Sequence, residues 1–324
     1  MNAIAVTAPS RLHFSLIDLN GEIKRIDGGF GVSLQNPNFK ILVERAEQTK
    51  ISGTKDTKTC EEILKTTYMI KKKYDIKNNY KIYLKSEIPR HSGFGSTTQL
   101  NLAIASAMLK LEEIFISPYE IAMTVKRGGT SGIGVKAFES GGFIVDIGHK
   151  FGKGNEKDSF VPSSVSDAKP AKILFRQDFP DDWIFVCAIQ KNKEIYAESE
   201  VEIFKKYCPI NRRDVEKLCH LLLMKILPAV IEKDIENFGG GLKEVQNLGF
   251  KKIEVEISGL KNFIDELGKI SYGAGLSSFG PYVYALTKGK KHAEEVINYL
   301  NENEIKNFMC VPDNKGAYFE YLKI

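Results

Sequence analysis

The chain is expected to be an α+β protein of two domains, and three observations carry that expectation. Its 324 residues favour two hydrophobic cores over one. Strand-like stretches gather at the beginning of the chain, whereas helical stretches follow one another after residue 190. Between them, residues 149–170 are rich in Gly, Lys, Ser, Asp and Pro with little periodicity, as expected of a connection between domains or a mobile loop. The domains are therefore drawn at 1–170 and 171–324.

Residues 3–7 read as a strand that Pro9 turns. From 11 to 17 the pattern alternates, with Leu12, Phe14 and Leu16 on one face and Arg11, His13 and Ser15 on the other. Strands at 30–34 and 39–45 are separated by Asn36-Pro37-Asn38. A helix is expected over 60–74, and an alternating strand over 80–86 leads through a proline turn into a helix at 96–111. Ser117 is placed as an N-cap, with Pro118 at the first helical position and Glu120 completing a capping box. Residues 141–147 return as a buried strand. Beyond the connection come strands at 171–176 and 183–189 and helices at 196–207, 212–227 and 233–247. A helix at 259–268, a glycine-rich turn, a strand at 282–287, a helix at 291–301 and a strand at 317–322 close the chain. Gly239-Gly240-Gly241 lacks a preceding strand and reads as a helix break rather than a phosphate loop.

Composition excludes several classes. A net charge of +5 suits an anionic small substrate but is too dispersed to argue for nucleic acid, and Lys71-Lys72-Lys73 reads as a solvated helix face. Five widely spaced cysteines without a Cys-x-x-Cys pair argue against a disulfide scaffold or zinc site, and a reducing cytoplasm is expected. No apolar run reaches the roughly 18 residues of a membrane span, and the first residues lack the basic region of a signal peptide.

The most informative stretch is 88–99, Ile-Pro-Arg-His-Ser-Gly-Phe-Gly-Ser-Thr-Thr-Gln. Two glycines opening a helix gather free N–H groups and hydroxyls in one place, which is an anion site built from main chain. Gly93, Gly95, Ser96, Thr97, Thr98 and Gln99 would form it, with Ser92 beside them and Arg90 and His91 adding charge at the rim. The plain alternative is an ordinary helix cap. Arg127, Gly128, Gly129, Thr130, Ser131 and Gly132 are expected to make a second anion loop, the alternative being a helix C-cap and turn. The polar face of Arg11, His13 and Ser15 is expected to face the site rather than bulk water. Gly275, Ser277 and Ser278, in a glycine-rich run that permits close backbone approach, are expected near the ligand.

Three segments resemble the GHMP kinase superfamily: Pro9-Ser10-Arg11-Leu12, the loop from Pro89 to Thr98, and Gly273-Ala274-Gly275-Leu276-Ser277-Ser278-Phe279-Gly280. The resemblance implies a ribosomal-protein-S5-like N-terminal domain and a ferredoxin-like α/β C-terminal domain with extra helices. Several runs resemble more narrowly the β-ribofuranosylaminobenzene 5′-phosphate synthases. They include Arg11-Leu12-His13-Phe14-Ser15-Leu16-Ile17-Asp18, Asp27-Gly28-Gly29-Phe30-Gly31, Gly95-Ser96-Thr97-Thr98-Gln99, Arg127-Gly128-Gly129-Thr130-Ser131-Gly132-Ile133-Gly134 and Phe138-Glu139-Ser140-Gly141-Gly142-Phe143-Ile144-Val145-Asp146. That resemblance implies condensation of phosphoribosyl pyrophosphate (PRPP) with 4-aminobenzoate or 4-hydroxybenzoate, releasing CO₂ and pyrophosphate, in methanopterin biosynthesis. Many GHMP kinases carry an aspartate where this chain has Gly134, and glycine can neither take a proton nor orient a nucleophile.

Such chemistry needs neutralisation of the departing pyrophosphate, for which Mg²⁺ is the expected cofactor, with Ser96 and Asp146 as candidate ligands. It also needs a carboxylate near an oxocarbenium-like C1, for which Asp18, Asp27 and Asp146 are the candidates, and a cationic group for the benzoate carboxylate. Asp146 could equally cap the turn after its strand. The para substituent feeds electrons to the attacking carbon, so neither pyridoxal phosphate (PLP) nor NAD is expected. The expected partners are the two small substrates and a second copy of the chain in a homodimer, with no nucleic acid and no membrane. Two alternatives stay open: an ATP-dependent small-molecule kinase, marked by acceptor-dependent ADP release, and a catalytically silent binding module, marked by binding without turnover.

Overall fold

A computed structural model describes residues 3–190 and 199–323. In chain order the elements are β1 (Ala3–Asp18), β2 (Arg25–Ala46), β3 (Lys50–Ser52), α1 (Thr57–Tyr74), β4 (Asn79–Ser86), α2 (Ser96–Leu111), α3 (Pro118–Thr124), α4 (Ile133–Ser140), β5 (Phe143–Asp146), β6 (His149–Lys150) and β7 (Ile173–Gln177). The second part adds β8 (Trp183–Ile189), α5 (Glu200–Tyr207), α6 (Arg212–Leu221), α7 (Leu227–Glu232), α8 (Ile235–Val245), α9 (Gly249–Ser258) and α10 (Lys261–Lys269). It ends with β9 (Gly273–Leu276), β10 (Val283–Lys288), α11 (Gly289–Glu302), β11 (Lys306–Cys310) and β12 (Tyr318–Leu322).

The long strands β1 and β2 pair antiparallel and form the spine of the first sheet, ordered β12-β1-β2-β4-β3, with β5, β6 and β7 attached beyond β2. The second sheet runs β11-β8-β10-β9, all antiparallel. The sheets do not divide the chain at residue 170. Ile173–Gln177 pairs with β5, and Tyr318–Leu322 returns to pair with β1, so both belong to the first sheet.

Two irregularities in β1 matter for the site. Its pairing with β2 slips between Ala8 and Ser10 and again between His13 and Ser15. A bulge inserts a residue and reverses which side chains face which way. Arg11, His13 and Leu16 therefore share the functional side, while the Ser15 hydroxyl turns inward and donates to the Leu16 carbonyl at 2.6 Å. Strict alternation had placed Ser15 with Arg11 and His13.

Phe14 enters an aromatic cluster shared by both sheets: its ring centroid lies 5.2 Å from Tyr284, 6.1 Å from Phe185 and 5.9 Å from Phe30. Gly239-Gly240-Gly241 neither breaks a helix nor makes a loop. It lies inside α8, where side chains at 239 and 241 would run into the Tyr272 carbonyl and Ile226. The expected helix at 212–227 continues to Glu232 through a wide turn at Leu222–Ile226, and the first three residues of the expected helix 196–207 lie outside the described residues.

Candidate active site

A cavity of about 800 Å³ opens where β1, the loop before α2, the loop before α4, the 162–164 segment, the start of α5 and the turn at 278–281 converge. The loop before α2 forms one wall. Gly95, at φ 77°, ends the loop, and α2 begins with Ser96, Thr97 and Thr98, all lining the cavity. Their hydroxyls and the free N–H groups at the start of a 16-residue helix suit this end to an anion.

The loop is held from behind by the distant glycine-rich segment. Ser277 Oγ accepts from the His13 N–H at 3.1 Å and donates to the Gly93 carbonyl at 2.8 Å, while the Ser278 N–H donates to the His13 carbonyl at 3.1 Å. Arg11 also donates to the Gly93 carbonyl. Gly93 sits at φ 82° against the Ser277 carbonyl, and a side chain there would overlap that oxygen. Strand, loop and C-terminal turn are thus one interlocked unit.

The second predicted anion loop is built differently. Asp146 Oδ2 accepts from Ser131 Oγ and from the Gly132 N–H, both at 2.9 Å, and Ser131 Oγ accepts from the Ile133 N–H at 3.3 Å. The chain's own carboxylate therefore already occupies the start of α4. Ser166 Oγ donates to the Gly129 carbonyl and Thr130 Oγ1 to the Val161 carbonyl, so this loop also anchors the cavity wall. Arg127 lines the cavity with its Nε buried and without a hydrogen-bond partner, and burial lowers its pKa.

Charge is concentrated on the floor of the cavity. Burial brings the Arg11 pKa down to about 10, against the opposing pull of Glu254 and Glu200, so the guanidinium stays charged at neutral pH. Burial, Arg11 and Lys251 drive His13 well below its ordinary value, so its imidazole is neutral. Lys251, wholly buried, pairs with Glu254 and donates to the Leu276 carbonyl at 3.1 Å. Burial and Glu254 raise the pKa of Glu200 at the rim, against Arg127 and Arg11.

Of the sequence-predicted residues, Arg11, His13, His91, Ser92, Gly93, Gly95, Ser96, Thr97, Thr98, Arg127, Gly128, Thr130, Ser131 and Ser278 line the cavity. Others lie behind it. Gln99 donates to the Gly134 carbonyl at 2.7 Å and ties α2 to α4, while Arg90 pairs with Asp56 at 3.7 Å. Gly129, Gly132 and Ser277 are backing residues. Gly275 lies under Gln246 and Tyr284, away from the cavity.

None of the three aspartates lines the cavity. Asp18 accepts from the N–H groups of Asn20 and Gly21 and closes a turn. Asp27 is buried against His149 Nδ1 at 2.7 Å and Lys157 Nζ at 2.9 Å. Asp146 accepts from Ser131, Gly132 and Gly148 and lies outside the cavity lining, so it is not placed to meet a metal ion there. Among the described residues no group of three or more His, Cys, Asp or Glu side chains is placed to hold a metal ion.

Among the described residues, the carboxylates that line the cavity are Glu200 and Glu254, and sequence reasoning missed both. Glu200 belongs to a helix announced by a second capping box, Ser199 with Glu202. Glu254 lies on α9, where Lys251 and Glu254 occupy the buried stripe with Phe250, Val255 and Ser258. Charged residues in core positions of a helical stripe were the available signal.

No helix of the described residues is long and apolar enough to cross a membrane. The family descriptions "GHMP kinases N terminal domain" and "GHMP kinases C terminal" match residues 61–142 and 226–306. Among solved structures, Methanococcus jannaschii mevalonate kinase superposes with a TM-score of 0.66 at 15% identity, covering 96% of this chain and 98% of that one. Homoserine kinase from Cytophaga hutchinsonii gives 0.65 at 14%, covering 99% and 98%. These likenesses show the two-domain GHMP fold. The β-ribofuranosylphenol 5′-phosphate synthase of Methanocaldococcus jannaschii is 45% identical over 302 residues, 90% of this chain and 91% of that one. The protein of that name from Archaeoglobus fulgidus is 43% identical over 323 residues, covering 98% and 99%. With such identity along nearly its whole length, the chain belongs to the β-ribofuranosylphenol 5′-phosphate synthase family.

Proposed function

We propose that this pentosyltransferase-type enzyme joins C1 of PRPP to the ring carbon of a para-substituted benzoate that bears the carboxyl group, with release of CO₂ and pyrophosphate. The observation that carries the proposal is one cavity combining the α2 anion-binding end, the cations Arg11 and Arg127, and Gly134 where many kinases of this fold carry a carboxylate. Glycine is closely fitted there: a Cβ at 134 would lie 3.3 Å from Thr98 Cγ2. The name of the relatives, a ribofuranosylphenol phosphate synthase, favours 4-hydroxybenzoate over 4-aminobenzoate as acceptor.

In this scheme the pyrophosphate sits at the start of α2, and Arg127 supplies a second anion contact. The bond from C1 to the pyrophosphate oxygen breaks, and its electron pair leaves with pyrophosphate. The ring carbon bearing the carboxylate attacks C1. The pair of the ring–carboxyl bond then returns to the ring as CO₂ departs, so no net proton is needed. Neutral His13 is suited to accept a hydrogen bond rather than to add charge. A magnesium ion would neutralise charge on the departing pyrophosphate; of the two candidate ligands, Ser96 lines the cavity and could meet it, whereas Asp146 lies behind the wall on protein donors.

Purified protein with PRPP, Mg²⁺ and 4-hydroxybenzoate is expected to release pyrophosphate and CO₂ in equal amounts. Absence of both with either benzoate, or ADP release from ATP with a small acceptor, would overturn the proposal.

A further inference from the structure

Resting on that function, we infer that Glu254 is the carboxylate that stabilises positive charge at ribose C1, held in place by buried Lys251. Glycosyl cleavage builds oxocarbenium character at C1, and a fixed carboxylate in a dry site stabilises it most. Asp18, Asp27 and Asp146 do not line the cavity, which leaves Glu200 and Glu254 among the described residues that do. Glu200 stands at the rim on the first turn of α5, its side chain reaching solvent although the cavity partly shields its carboxyl. Glu254 is 4% exposed and on the floor, where burial raises its pKa against the opposing charges of Lys251 and Arg11.

Lys251 makes Glu254 a prepared group. It is fully buried, pairs with Glu254 and donates its other hydrogen bond to the Leu276 carbonyl. The next residue, Ser277, bonds to the phosphate loop at Gly93. The carboxylate is therefore held in register with the loop proposed to carry the leaving group. A buried ion pair is a poor way to gain stability, since apolar side chains of similar size generally do as well. Its presence in the apolar stripe of α9, facing a cavity, is accounted for by chemistry.

The step keeps atoms and electrons balanced without Glu254 forming a bond. Glu254 faces the charge that develops as the C1–oxygen bond lengthens, and it is unchanged once the C1–carbon bond has formed.

The test compares wild type, Glu254→Gln, Glu254→Asp and the double variant Lys251→Met/Glu254→Gln with PRPP and 4-hydroxybenzoate. Glu254→Gln is expected to lower kcat by about 10²- to 10³-fold, in the range seen for removal of one preorganised electrostatic group. Its KM for PRPP should change less than about threefold, as for an interaction made only in the transition state. Glu254→Asp should recover part of the loss. The double variant removes the buried pair as a unit and so tests the assignment if Glu254→Gln does not fold. Pyrophosphate binding by calorimetry reports that its site is intact. An active wild type whose folded Glu254→Gln or double variant keeps kcat within threefold would overturn the assignment alone. An inert wild type would overturn both the assignment and the function beneath it.

Discussion

At the residue scale, the site works through groups whose charge is set by burial. Arg127 keeps its Nε without a partner inside the cavity. Under the proposed reaction, Arg127→Met should raise KM for PRPP by about 10- to 100-fold, the worth of a lost charge-assisted hydrogen bond, in a steady-state assay. Asp146 behaves differently. Burial lifts its carboxyl from 3.8 to about 6, against three hydrogen bonds and with a small further push from Asp27. The folded chain then binds that proton more tightly than the unfolded chain, so the contribution of Asp146 to stability falls as pH rises from about 4 to 6. Melting of wild type relative to Asp146→Asn should show wild type losing about 3 kcal/mol between pH 3.5 and 7. A pH-independent difference would refute this. The sequence showed Asp146 at the end of a buried strand but could not show which donors its oxygens meet. For the same reason it could not separate Asp18 and Asp27 from the cavity, because a carboxylate's partner lies far away in the chain.

At the element scale, α2 and the Ser117 capping box were legible because their determinants are local. By contrast, β9 was hidden. Its sequence, Gly-Ala-Gly-Leu, reads as a turn because glycine is depleted in strands. It becomes a strand because Gly273 must pass against Gly239 of α8 and Gly275 under Gln246. The composition of 149–170 suggests a connection between domains or a mobile loop, yet the segment is clasped. Both ring nitrogens of His149 face acceptors, Asp27 at 2.7 Å and the Lys169 carbonyl at 2.8 Å, so only the imidazolium satisfies both. Burial lowers its pKa, but the pairing with Asp27 more than offsets this and the net shift is upward. His149 therefore contributes stability fully below its unfolded value of 6.5, and loses it as pH climbs through the folded value. Lys157 completes the clasp and donates to the Val161 carbonyl at 3.2 Å, next to the Pro162–Ser164 wall. Asp27→Asn leaves two buried cations without their counter-charge. It should cost about 3–5 kcal/mol in denaturant unfolding and raise KM for substrate as the wall loosens. Unchanged stability would show that the clasp is not electrostatic.

At the scale of the whole molecule, the two domains predicted from the sequence are joined by a large hydrophobic cluster drawn from both halves. Phe143 and Phe179 reach Phe238 at 5.8 and 5.3 Å, and Phe179 and Phe238 each approach Trp183 at 5.2 Å. β7 and β12 meanwhile return the second half of the chain to the first sheet. The cavity depends on that union, since Ser277 and Ser278 come from one half and His13 and Gly93 from the other. Neither half could unfold without exposing large aromatic surfaces and dissolving the site, so unfolding should be a single cooperative event. The chain's single tryptophan, Trp183, sits at the shared core and is 1% exposed, which makes its emission a reporter of the junction. Thermal or denaturant unfolding followed by that emission should coincide with far-ultraviolet circular dichroism in one transition. Phe14→Ala should shift both traces together by about 3–5 kcal/mol, as for a large core side chain reduced to alanine. A tryptophan transition preceding the loss of secondary structure would instead mean that the halves part before either melts. The cavity would then be a hinge between separable domains, and substrate binding would have to close it.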